Sequence, residues 1–117
     1  MRHHHKGRTL GRPKNQRAAL LRSLARSLVL HERISTTEAK AKELRPFIEK
    51  LVTRAKTDSV ANRRLVSARI QDPTSVKKLF TAIGPRYQDR TGGYVRIVKR
   101  AKRGANDARP LAYVAFV

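Results

Sequence analysis

Two stretches of this chain bring chemically capable residues close together: MRHHHKGRTLGR at the start, and PRYQDRTGGYVRI around residue 90. His3, His4 and His5 raise the possibility of a metal. Consecutive side chains cannot all converge on one ion, and only His31 and scattered carboxylates remain to complete a tetrahedral set. A tag remnant is a second reading, but the run passes straight into GRTLGR. Neutral imidazole stacks on bases and bonds to phosphate or a 2′-hydroxyl, which suits a run this basic better. Gly7 to Gly11 has the outline of a phosphate loop. The lysine and hydroxyl that a nucleotide-binding loop needs next are absent, since Arg12 and Pro13 follow, and no strand precedes it.

Catalytic pairings fare no better. Glu38, Glu43 and Glu49 stand among lysines and arginines on one helical segment, where they read as solvated ion pairs. Ser, His and Asp occur without the signature that arranges them as a triad. Tyr87 and Tyr94 flank DRTGG, with Arg86, Arg90 and Arg96 nearby. Aromatic and guanidinium planes around a glycine turn suit stacking on unpaired bases. Cover of a sheet edge by two amphipathic rings is the equal alternative. Thr36, Thr37, Lys40 and Lys42 open a helix, where N–H groups, hydroxyls and ammoniums together favour an anion. Capping alone would account for the threonines, though not for both lysines.

The charge balance says what these groups face. There are 28 Lys and Arg against 8 Asp and Glu in 117 residues, a net charge of +20. A domain of that size repels itself unless a polyanion is present. Arginine supplies most of the charge, and its planar fork suits paired contacts with phosphate oxygens. No cysteine is present, which excludes disulfides, thiolate zinc sites and a thiol nucleophile. No apolar run is long enough to cross a bilayer, and MRHHHKGR is no secretory signal. Residues 16–31 are amphipathic, arginine-rich and acid-free, as in mitochondrial transit peptides. The glycines and Pro13 ahead of them, and their place as the first half of a core, favour an internal helix instead.

These groups need elements to position them. Residues 1–13 hold two glycines, a proline and no acid, and read as an extended basic arm reaching at most about 40 Å. Residues 14–117 read as one domain. Periodicity predicts a helix from Pro13 or Lys14 to His31, with Leu21, Leu24, Ala25 and Leu28 on one face. Arg22 and Arg26 lie roughly 100–140° away, free to meet phosphate. A short edge strand at Arg33-Ile34-Ser35 follows, then a capping box from Ser35 to Glu38. The next helix has Ala41, Leu44, Ile48, Leu51, Val52 and Ala55 as its buried stripe and a kink from Pro46. Asp58 or Ser59 caps a third helix, and Asp72-Pro73 opens a fourth that Gly84-Pro85 ends. Gly92-Gly93 turns into a strand with Val95 and Ile97 on one side and Arg96 and Arg100 on the other. A basic loop carrying Lys102 and Arg103 leads to LAYVAFV, apolar on both faces and therefore central. The fold class is α+β: helix, short strand, three helices and two strands, the helices packed on a small three-stranded mixed sheet.

Three blocks, in order and over nearly the whole chain, resemble the bacterial large-subunit ribosomal protein seventeen family. They are MRHHHKGRTLGR with Arg17, ISTTEAKAKELRPFIEKLV, and KLFTAIGPRYQDRTGGYVRI. The resemblance implies a non-enzymatic constituent of the large (50S) subunit that binds 23S rRNA and supports translation in the cytoplasm. It also implies a neighbour, L-thirty-two, and a place on the solvent side near the nascent-chain exit. No cofactor, metal, membrane or small-molecule substrate is expected. The expected RNA contacts start with the arm: Arg2, His3, His4, His5, Lys6, Arg8 and Arg12. They continue along the first helix with Lys14, Arg17, Arg22 and Arg26, then through Thr36, Thr37, Lys40 and Lys42. Arg86, Tyr87, Arg90, Tyr94, Arg96, Arg100, Lys102 and Arg103 complete them. The rival readings are a DNA-binding module, an RNA-modifying enzyme and a membrane-active basic helix. The first lacks helix-turn-helix spacing, the second lacks convergent titratable groups, and the third needs the leucine face of residues 18–30 exposed.

Overall fold

The computed structural model describes residues 10–103 and 109–117. Helix α1 (Lys14–His31) starts after Pro13, whose carbonyl accepts from Arg17 N at 2.9 Å. Its apolar residues recur at helical spacing and enter the core: Ala25, Leu28 and Val29 are buried, and Leu21 and Leu24 pack against them. The leucine face that a membrane-active helix would need free is therefore occupied. Glu32 ends the helix in the left-handed conformation, φ 63°, and donates its N–H to Leu28 O at 2.7 Å. That reversal feeds the chain directly into strand β1 (Arg33–Thr37).

Helix α2 (Glu38–Ala55) buries the six residues its spacing predicts and runs on through Pro46 as one helix. Its cap corrects the expected capping box. Strand pairing runs through Thr37, opposite Leu111, so the helix starts only at Glu38, and Thr37 is the cap that accepts from Lys40 N at 3.3 Å. Glu38 is thereby the first helical residue and not the third. Ser59 caps α3 (Val60–Ile70), accepting from Asn62 N at 3.1 Å. Asp72 caps α4 (Pro73–Lys78), accepting from Ser75 N at 3.3 Å and Ser75 Oγ at 2.5 Å.

Gly84-Pro85 does not end that last helical stretch. Leu79–Ile83 widen into a π turn, Gly84 donates to Leu79 O, and α5 (Gly84–Arg86) continues from it. Pro85 falls in a first turn, where its missing N–H costs little. A Cβ on Gly84 would stand 2.3 Å from Ala55 O, so glycine here permits close approach to the end of α2.

Strands β2 (Val95–Arg103) and β3 (Pro110–Phe116) complete the sheet, in the order β1-β3-β2. LAYVAFV is central, as its composition suggests. The sheet is antiparallel at both pairings, correcting the expected mixed sheet. β1 and β2 run the same way, but β3 lies between them, so no parallel ladder forms. Ile34, Val95, Ile97, Ala112, Val114 and Phe116 face the helices and belong to the core. Side chains alternate along a strand, so Arg33, Ser35, Arg96, Val98, Tyr113 and Ala115 line the opposite face.

Candidate nucleic-acid interface

Most of the described carboxylates are spent inside the fold. Glu32, at the α1–β1 reversal, receives Arg86 Nη1 at 2.5 Å and Lys78 Nζ at 3.2 Å. Chiefly through the Arg86 bond, and then through Lys78, its carboxyl is held below the ordinary value despite slight burial. Glu38 pairs with Lys42 at 3.0 Å and Lys99 at 3.5 Å, and its pKa is lowered, first by Lys42. Glu49 pairs with Arg45 at 3.2 Å and accepts from Tyr94 N at 3.0 Å. Asp58 pairs with Arg63 at 2.6 Å, which lowers its pKa, and Asp72 is a helix cap. These pairs tie helices to one another and to the sheet, and they leave whole surfaces without a negative charge.

The start of α1 is one such surface. No acid occurs from residue 1 to residue 31. Arg17 Nη1 donates to Arg12 O at 3.1 Å, and Arg12 Nη1 to Leu10 O at 2.7 Å. These bonds fold the incoming chain over the first turn and leave most of each guanidinium's five N–H donors available. Lys14 is exposed and Arg22 half-buried beyond them. Arg2, His3, His4, His5, Lys6 and Arg8 lie outside the described residues.

Several expected contact residues have internal work instead. Arg26 donates through Nε to Ile70 O at 2.8 Å and through Nη2 to Gln71 O at 3.0 Å, so it covers the carbonyl end of α3. Arg86 is the Glu32 partner, Lys42 belongs to Glu38, and Arg90 Nε bonds Gly92 O at 3.2 Å. Thr37 is the α2 cap, Thr36 faces the core side of β1, and Lys40 is half-buried at the helix start.

Tyr87 and Tyr94 are 5% and 2% exposed and pack in the core with ring centroids 5.3 Å apart and planes tilted by 50°. Tyr87 OH donates to Val117 O at 2.7 Å. Lys56 Nζ donates to the Tyr94 oxygen at 3.0 Å, the leading cause of that phenol's lowered pKa, and also to Arg90 O. Their rings are thus unavailable for base stacking, and the sheet-covering alternative is the one realised. Each polar tip found a partner inside the fold, which is why two tyrosines can sit this deep.

The outer sheet face carries two of the expected contacts, Arg96 and Arg100, and two residues that the sequence reading missed, Arg33 and Tyr113. Arg33 on β1 and Arg100 on β2 flank Tyr113 on β3, their guanidinium carbons 3.9 Å and 4.8 Å from the ring centroid. Arg100 Nη1 also donates to Ser35 Oγ at 2.8 Å. Arg96 and Val98 are exposed beside them. The strand alternation that puts Val114 inward forces Tyr113 outward, and that was the available signal. Lys102 and Arg103 end β2, and their side chains lie outside the described residues.

An open groove of about 1030 Å³ runs between α2, α3 and Gly92-Gly93. It mixes Glu43 and Glu49 with Lys50, Arg54 and Arg69. Among the described residues no three metal-ligating side chains gather, and no helix is long and apolar enough to cross a membrane.

Fold and surface together define a class: a small α+β scaffold that consumes its acids in internal pairs and turns surplus guanidinium groups outward. The family described as ribosomal protein L17 matches residues 20–117, and the chain belongs to it. It is a structural protein of the large ribosomal subunit, part of the ribonucleoprotein that carries out translation.

Proposed function

We propose that the chain binds and stabilises folded 23S rRNA, neutralising phosphates where RNA segments pack together. The observation that carries this is the unequal use of charge. Carboxylates hold Arg45, Arg63, Lys78 and Arg86, while Arg12, Lys14, Arg17 and Arg22 border an acid-free stretch and have no carboxylate partner among the described residues. Residues 1–13 extend this surface as an arm between RNA strands, with the histidines meeting phosphate, ribose or bases. A-form RNA keeps its base edges in a deep, narrow groove, so contacts are mainly to phosphate, sugar and shape. Each neutralised phosphate releases counterions and relieves repulsion between neighbouring RNA segments. No chemical step, cofactor or metal is required. L-thirty-two is the neighbouring protein in this reading.

RNase footprinting of 23S rRNA tests it. The full chain protects discrete RNA segments, and a chain lacking residues 1–12 loses part of that protection while keeping its thermal unfolding transition, because Met1 and Leu10 are the only large apolar side chains removed. Absence of any footprint would overturn the reading. Unfolding of the truncated chain would overturn the division at residue 13.

A further inference from the structure

We propose that the outer face of the sheet is a second RNA-binding surface, which takes an unpaired nucleotide segment by stacking on the Arg33–Tyr113–Arg100 layer. This rests on the RNA-binding reading above and adds which RNA element this face accepts.

Eight residues of the paired strands point away from the helices, namely Arg33, Ser35 and Thr37, then Arg96 and Val98, then Leu111, Tyr113 and Ala115, and Arg100 joins them through its contact with the Tyr113 ring. Three are arginines and none is an acid. An open face of an antiparallel sheet needs only to be polar; a neutral or mixed-charge surface would satisfy that. Instead the central strand offers an aromatic ring, and each flanking strand lays a guanidinium against it. Two like charges beside one ring repel each other, so the arrangement is completed by an anion.

The geometry selects the kind of anion. Cation–π contact and the Ser35 hydroxyl hold these arginines in place, reducing the rotamer freedom lost on binding. Guanidinium and phenol planes are stacking surfaces for bases, and they require a base that is out of a duplex. The remaining N–H donors suit the phosphates on either side of that base. Val98, 49% exposed and directly opposite Tyr113 in the register, adds an apolar shoulder. A protein partner would need carboxylates at matching spacing, whereas a single RNA strand supplies phosphates and planar bases together. A duplex would engage the arginines and leave the layer unused.

The test compares a single-stranded RNA decamer with an RNA hairpin duplex, each binding the full chain and its variants across a salt series. Tyr113→Ala removes the ring that holds both guanidinium planes in place, weakens decamer binding about tenfold, and leaves the salt slope unchanged because both charges remain. Tyr113→Phe retains binding. Val98→Ser lies on an exposed position, so it keeps the fold and decides the matter if Tyr113→Ala does not; it removes the apolar shoulder without altering charge, so it weakens decamer binding and spares the duplex. Equal weakening of both RNAs would mean phosphate contact without stacking and would overturn the proposal. Unaltered binding of both RNAs by both variants would overturn it as well, while the RNA-binding reading stood. Failure of the unsubstituted chain to bind either RNA would overturn both readings together.

Discussion

The two faces of the sheet are made by the same three strands and have opposite contents. On the inner face Ala112 and Val114 are fully buried, with Val95 at 2% exposure, packed with Ile34, Ile97 and Phe116 against the helices. On the outer face Arg33 and Arg100 flank Tyr113 and Arg96 lies on the same side, with no carboxylate among the paired residues. The difference comes from the two-residue repeat of a strand, which lets neighbours in sequence serve core and surface separately. A second contrast follows. Acids cluster where helices begin, end or cross, at Glu32, Glu38, Asp58 and Asp72, and fix the scaffold. On the sheet, Arg33, Arg96 and Arg100 lie on the face that no helix covers.

That contrast can be broken at one pair of valines. Val114→Asp places an uncompensated charge at a fully buried position, and a loss of about 3–5 kcal/mol is expected, enough to abolish the cooperative transition in urea. Val98→Glu, one strand over and on the other face, should change the unfolding free energy by no more than about 0.5 kcal/mol. If the two substitutions destabilise the chain equally, the assignment of faces is wrong.

A smaller effect sharpens the role of the acids. The folded pKa of Glu32 lies below its ordinary 4.5, because Arg86 and Lys78 favour the carboxylate. Its contribution is therefore fully present at neutral pH. It is lost as pH falls from about 4.5 through the lowered value, since the unfolded chain then takes up the proton first. Glu32 is partly exposed, so the contribution is modest after solvent screening. Glu32→Gln should flatten that acid limb in thermal melts taken across pH, without altering the affinity for RNA at neutral pH. A limb as steep as that of the unsubstituted chain would remove Glu32 from the account.

Much of the fold was legible because long periodic segments announce themselves. The six-residue stripe of α2 and the Asp72-Pro73 start of α4 needed only helical spacing and cap chemistry. The central place of LAYVAFV followed from composition, but its two faces were read alike, and so Tyr113 was overlooked. The box at Ser35 looked complete as a local pattern and yielded to strand pairing with β3, a partner almost eighty residues away in sequence. Gly84-Pro85 reads as a stop, yet glycine was serving close approach to Ala55 O. Arg26 and Tyr94 show the general difficulty at the candidate site. Arginine and tyrosine suit both nucleic acid and internal carbonyls, and only the tertiary structure assigns them: Arg26 to the end of α3, Tyr94 to Lys56.

The central claim is that outward guanidinium groups exist to neutralise phosphate, and a salt titration of 23S rRNA fragment binding tests it most directly. The account predicts that log affinity falls linearly with log salt, with a slope of about −0.7 to −0.9 per phosphate neutralised, and that Arg17→Ala with Arg22→Ala makes the slope shallower by about one to two. A flat response, or a slope untouched by removing both arginines, would contradict it.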